Sequence, residues 1–208
     1  APLELEWRNE KNQIETNVDH ALKLTTTSQG YQVEATTRVN ATALFGPFNS
    51  LDLKLPTPRP RGMAVIGTVG TSAAFPAGLP WGGLWRTFGL PFELTQAEDL
   101  SIVDENGNPL KLMPQDATGK MRVISERAPS KQMTVVVKST FLVPTKLQRV
   151  RMELPRPLNT NDRRAKVTID TDERIELLFG PAGAEEPVPD RHQFDQTWAQ
   201  SPSHLDLA

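Results

Sequence analysis

The chain has 208 residues, enough for one large β domain or for two modules of about 100 residues each. Its formal charge of −2 is mixed along the whole length, and the absence of a basic stripe argues against nucleic acid or an anionic membrane surface as a partner. With no cysteine, disulfides, thiol nucleophiles and cysteine-ligated zinc are removed together, and 18 prolines disfavour long helices.

Strand signals start at once. Leu3, Leu5 and Trp7 alternate with acidic residues, a period of two that places them on one face. The chain opens at Ala1-Pro2 without a methionine and is read as trimmed or mature. That reading points to a periplasmic, cell-surface or secreted location. Ile14, Val18 and Leu22 fall four apart behind Asn12 and Glu15, the spacing of a short capped helix and the one helical signal in the first half. Leu22 to Thr27 then has β-branched strand character. Ser28-Gln29-Gly30 reads as a turn and Tyr31 to Val39 as the returning strand of a hairpin. Leu51, Leu53 and Leu55 alternate with Asp52 and Lys54 until Pro56 stops them, and Met63 to Val69 is an apolar run suited to a strand buried on both faces.

The second half repeats this vocabulary. Leu100 to Val103 leads into Asp104-Glu105-Asn106-Gly107-Asn108-Pro109 and on to Leu110-Lys111-Leu112. Asn-Gly supplies the positive φ angles of a tight hairpin turn. Further strands are expected at Met121–Ile124, Met133–Val137, Val150–Leu154, Ala165–Ile169 and Arg174–Phe179. From about Ala184 the chain reads as a polar tail in which Phe194 and Trp198, four apart, dock onto the body.

Several segments recur at a displacement of about 100 residues and in the same order. Leu51-Asp52-Leu53-Lys54-Leu55-Pro56-Thr57-Pro58 matches Val150-Arg151-Met152-Glu153-Leu154-Pro155-Arg156-Pro157, an apolar alternation ending in Pro-x-Pro. Gln32-Val33 matches Gln132-Met133, Leu22 to Thr25 matches Met121 to Ile124, and Leu3-x-Leu5 matches Leu100-x-Ile102. The expected fold class is therefore all-β, with two tandem immunoglobulin-like or fibronectin-like sandwich modules. They span 1–97, with an insertion at 68–93, and 98–184, followed by a tail at 185–208. The alternative is one large sandwich or barrel. A true immunoglobulin core with its Cys-Trp-Cys signature is excluded by the lack of cysteine.

The insertion is the compositional oddity. Between Phe75 and Phe92 the chain gathers Trp81, Trp85, Phe88, Arg86 and many Gly and Pro residues, which make a shaped loop rather than regular structure. Flat rings on a loop offer stacking area at low conformational cost, so Trp81, Trp85, Arg86, Phe88 and Phe92 are the candidate ligand- or partner-binding residues. The competing reading is a plug that buries these rings between the sheets, since large aromatics usually go inside. Asp104, Asn106 and Asn108 alternate like calcium ligands, but the Asn-Gly turn accounts for the same residues and no closing glutamate is evident. Asn40-Ala41-Thr42 fits a glycosylation sequon.

His20, His192 and His204 are too far apart for a metal motif. Gly70-Thr71-Ser72-Ala73 lacks the Gly-x-Ser-x-Gly nucleophile elbow, and no cofactor fingerprint occurs. No metal, cofactor or catalytic set is therefore expected. The sequence points to a non-catalytic binding or scaffold region of an extracytoplasmic protein, with a protein or carbohydrate partner. The rivals are a hydrolase of carbohydrate or peptide at the module interface, with Asp99 or Asp104 as its acids, and an assembly subunit that offers the aromatic loop to a partner chain.

Overall fold

The computed structural model describes residues 14–28, 30–58, 92–94, 96–116, 119–144, 150–175, 192–202 and 204–207. The strands expected at 3–7 and 63–69, and most of the one at 174–179, lie outside the described residues, as does most of the aromatic insertion. In chain order the elements begin with β1 (Ile14–Thr27), β2 (Gly30–Ala43), β3 (Ser50–Lys54), β4 (Thr57–Pro58), β5 (Phe92–Leu94), β6 (Gln96–Ala97), β7 (Asp99–Asp104) and β8 (Lys111–Pro114). They continue with β9 (Lys120–Ile124), β10 (Gln132–Pro144), β11 (Val150–Glu153), β12 (Arg156–Pro157), β13 (Asn161–Thr171), β14 (Gln193–Trp198) and β15 (His204–Leu207). Every regular element among the described residues is a strand, and the sheets stay open rather than closing into a barrel.

The helix suggested by Ile14, Val18 and Leu22 is instead the first part of β1. A spacing of four suits a helix, but it is also a multiple of two, so it keeps the same three side chains on one face of a strand. The residues between them decide the matter: Thr16, His20 and Leu24 share that face and are buried too. Phe194 and Trp198, also four apart, share a strand face for the same reason. They lie on β14, on the face that packs against the core.

The central element is a six-stranded sheet ordered β14-β13-β1-β2-β10-β7. The expected β1–β2 hairpin is there, closing from Thr27 to Gly30 and running back to Ile14 opposite Ala43. β10 pairs antiparallel to β2 along its length, whereas β13 pairs parallel to β1. A four-stranded sheet, β12-β3-β9-β8, and a three-stranded one, β15-β11-β5, complete the layers beside a short β4–β6 pair. The central sheet thus draws on both the 1–97 and 98–184 stretches, and each stretch needs the other's hydrogen bonds. The tail past 185 adds an edge strand to two of the sheets.

Two apolar cores lie on one face of that sheet. Because side chains alternate, the odd-numbered residues of β2 from Val33 onward point inward: Val33 and Ala35 enter one core, and Val39, Ala41 and Ala43 enter the other. Met133, Val135 and Val137 of β10 join the second group, whereas Phe141 and Val143 join the first. The Pro-x-Pro segments divide in the same way. Leu51, Leu53 and Leu55 fill one core, and Val150, Met152 and Leu154 fill the other. Residues displaced by about 100 positions, such as Val33 and Met133, Ala35 and Val135, or Leu53 and Met152, lie in opposite cores, although β3 pairs with β12 and β9 while β11 pairs with β15 and β5. The match of Leu22 with Met121 has no such counterpart, since β1 lies in the central sheet and β9 in the four-stranded one.

Leu53 and Met152 are fully buried. Truncating either to Ala should cost about 2–5 kcal/mol, and each variant should still unfold in one urea transition because one sheet carries both cores. Two separated transitions would show the cores to be independent.

Candidate functional site

Trp81, Trp85, Arg86 and Phe88 lie outside the described residues, while Phe92 opens β5, where its backbone runs parallel to Val150. What the structure does place is both flanks of the aromatic segment. On one side β4 pairs with β6 through Thr57 and Gln96; on the other β5 pairs with β11. The segment is thus bounded by paired strands, Thr57–Pro58 before it and 92–97 after it.

A second feature, unannounced in the sequence, lies between the two cores on the inner face of the central sheet. His20 of β1, Thr37 of β2 and Ser139 of β10 are all buried there and form a polar seam with apolar side chains on either side. His20 Nδ1 is hydrogen-bonded to Thr37 Oγ1 at 2.9 Å and Nε2 to Ser201 Oγ at 3.2 Å, so both ring nitrogens are engaged by hydroxyls that can either donate or accept. Burial holds the imidazole pKa down to about 4 from an ordinary 6.5, which keeps the ring neutral at pH 7. Ser201, in the connection after β14, is fixed a second time: its N–H donates to Asp162 Oδ2 at 3.1 Å. The other oxygen of Asp162 accepts the Thr16 hydroxyl at 2.6 Å and the Thr160 hydroxyl at 3.3 Å. Ser139 Oγ is buried without a hydrogen-bond partner.

The acidic residues singled out in the sequence are separated by the fold. Asp99 and Asp104 lie at opposite ends of β7, about 17 Å apart at the usual rise per residue. Asp104 forms a turn clamp. Its carboxylate accepts the N–H groups of Asn106 and Asn108 at 2.8 and 2.9 Å and pairs with Arg127 at 2.7 Å. The Asn106 amide, oriented to satisfy its neighbours, also accepts from Arg127. The Asn108 side-chain amide and the two backbone N–H groups, aided by Arg127, hold Asp104 below its usual pKa against the opposing effect of burial. The expected Asn-Gly turn forms, with Gly107 at φ 83°, but only the Val103–Pro109 bridge extends the hairpin before β8 departs to pair with β9. Asp172 acts alike at another turn, its pKa lowered chiefly by the Thr26 backbone N–H at 2.6 Å. Among the described residues no group of three or more acidic or histidine side chains is placed to hold a metal. Asn40 of the sequon sits mid-strand in β2, where it accepts the Thr134 hydroxyl at 3.1 Å.

No protein-family model matches the chain, and no curated protein matches it in sequence. Solved structures overlap it loosely. One is an M1 zinc metallopeptidase mutant from Deinococcus radiodurans bound to a Tyr-Ser-Ala substrate, with TM-score 0.37 and 11% identity over 76% of this chain and 33% of that one. Another is yeast LTA4 hydrolase in complex with bestatin, with TM-score 0.37 and 7% identity over 80% of this chain and 26% of that one. The chain spans about a third or less of the length of these enzymes, and an overlap so loose assigns neither family nor activity.

Because the contacts of Asp104 and Asp172 depress their pKa values, they are complete above the ordinary carboxylate range and are lost as pH falls through the depressed values. At neutral pH, replacing Asp104 with Ala should speed amide exchange at Asn106 and Asn108 while β2 amides keep their protection. Unchanged exchange would mean that the Asn-Gly backbone holds the turn alone.

Proposed function

We propose that this chain is a non-catalytic binding or scaffold region of an extracytoplasmic protein, and that its aromatic segment between β4 and β5 is the surface it presents. The supporting observation is the anchoring of both flanks of that segment, through the β4–β6 and β5–β11 pairings. Those pairings fix where the segment begins and ends on the sheets, and flat rings such as Trp81 and Trp85 suit recognition because they give contact area at small conformational cost. Arg86 adds a planar cation suited to stacking or to a carboxylate. The framework supports the same role: β1 and β2 each run 14 residues, about 45 Å, across both cores, forming a stiff platform rather than a hinged pair.

The partner class that fits is a protein segment or a carbohydrate, since both offer faces that tryptophan can cover. The two sandwich halves, related by the displaced Pro-x-Pro strands, are part of this reading and serve as a duplicated support.

The test uses peptide and glycan arrays together with the Trp81→Ala/Trp85→Ala double variant. The array signal should vanish in the variant while Tm stays within about 2 °C. A fall of more than about 6 °C, roughly 2 kcal/mol for a chain of this size, would make the segment a structural plug. Turnover of chromogenic esters, glycosides or aminoacyl anilides by the unmodified chain would overturn the non-catalytic reading.

A further inference from the structure

The polar seam and the C-terminal strands meet at one residue, Ser201. β14 is the edge strand of the six-stranded sheet and β15 the edge strand of the three-stranded sheet, so the segment from 192 to 207 crosses between the two layers. It lies over His20 with Ser201 at the crossing. Its apolar anchors Phe194, Trp198 and Leu205 are only partly buried, and among the described residues both of its strands pair on one side alone. An edge element with partial anchors belongs to the low-stability end of a fold and can leave without breaking the sheets it borders.

We propose that this C-terminal segment is an acid-released strap, held shut over the neutral His20 ring and detached when that ring is protonated. The charge has nowhere to go in the closed state. On the inner face His20 is flanked by Val18 and Leu22 on its own strand, Thr37 on β2 and Val167 on β13, none of them charged. Asp19, Arg38 and Lys166, its sequence and cross-strand neighbours, alternate to the outer face. In the covering strands β3 and β11, Lys54 and Glu153 alternate away from the core and pair with each other at 3.4 Å. Asp162 is the one carboxylate linked to His20 among the described residues, through Ser201 rather than directly. Both ring nitrogens already contact hydroxyls, so protonation adds a buried charge without adding a partner, and opening the strap admits the water that solvates it.

The sign follows from linkage. A histidine whose folded pKa is depressed from 6.5 to about 4 favours the closed state fully above pH 6.5, and that preference is lost as pH falls toward 4. The open fraction should therefore rise about thirtyfold between pH 7.5 and pH 5. Hydrogen exchange followed by mass spectrometry, corrected for the intrinsic pH dependence of exchange, reads it directly. Amides of 193–198 and 204–207 should gain that factor while β2 and β10 stay protected. The His20→Gln variant keeps a polar side chain and cannot titrate, so its strap should stay shut at both pH values. Opening of that variant with the wild-type midpoint would assign the effect to Asp162 or His204 and overturn the proposal. Loss of protection throughout the sheets at once would also overturn it. In the unmodified protein, an NMR titration of the His20 ring provides an independent check: its midpoint must coincide with strap opening, and a separate midpoint sinks the idea.

Discussion

The structure depends on one constraint: three long strands, β1, β2 and β10, bury both cores on the same face of a single sheet. A strand has two faces and a period of two, so a 14-residue strand offers seven inward positions, more than one compact core can use. The surplus is divided. One end of each strand serves the core closed by Leu51, Leu53 and Leu55, and the other end serves the core closed by Val150, Met152 and Leu154. The covering sheets are short because each covers half of the platform. The Lys54–Glu153 pair and the backbone pairing of β12 with β3 tie the two covers together across the divide.

Much of this was legible in the residues. The alternation at 51–55 and 150–154 announced strands, and both form, with Leu53 and Met152 each buried in its own core. The Ser28–Gly30 and Asn106-Gly107 turns were readable because turn chemistry is local: a positive φ at Gly107 is a property of that residue alone. Pairing partners were not readable. Amphipathic strands present similar faces, and nothing in Asn161–Thr171 states that it will lie parallel to β1 rather than beside its sequence neighbours. The tail misled for a similar reason, since β14 and β15 are mostly polar strands whose order comes from the edges they join.

The candidate sites divide along the same line. Trp81, Trp85, Arg86, Phe88 and Phe92 stood out by composition, a one-dimensional signal. The His20–Thr37–Ser201 set did not, because Thr37 and Ser201 lie 17 and 181 residues from His20 and each is ordinary where it stands. A weak signal existed all the same. His20 interrupts an inward series of Val18, Leu22 and Leu24, and Thr37 interrupts Val33, Ala35, Val39 and Ala41 at the residue that pairs with it. Two polar residues on facing strands at the same register mark a row across a sheet, and the β1–β2 hairpin register was derivable from its turn.

Why such a row should interrupt an apolar face is a question of cost. The neighbouring inward positions of β1 are apolar, and a buried imidazole bound only to hydroxyls adds little net stability over an apolar side chain. Ser139 Oγ, buried without a partner, is a net loss on the same accounting. A fold that carries these groups in its centre has a boundary where the two cores cohere least, and the strand pair that closes over that boundary joins its sheets at their edges. The polar seam therefore sets where the molecule opens first, and the chemistry of His20 sets the condition under which it does so.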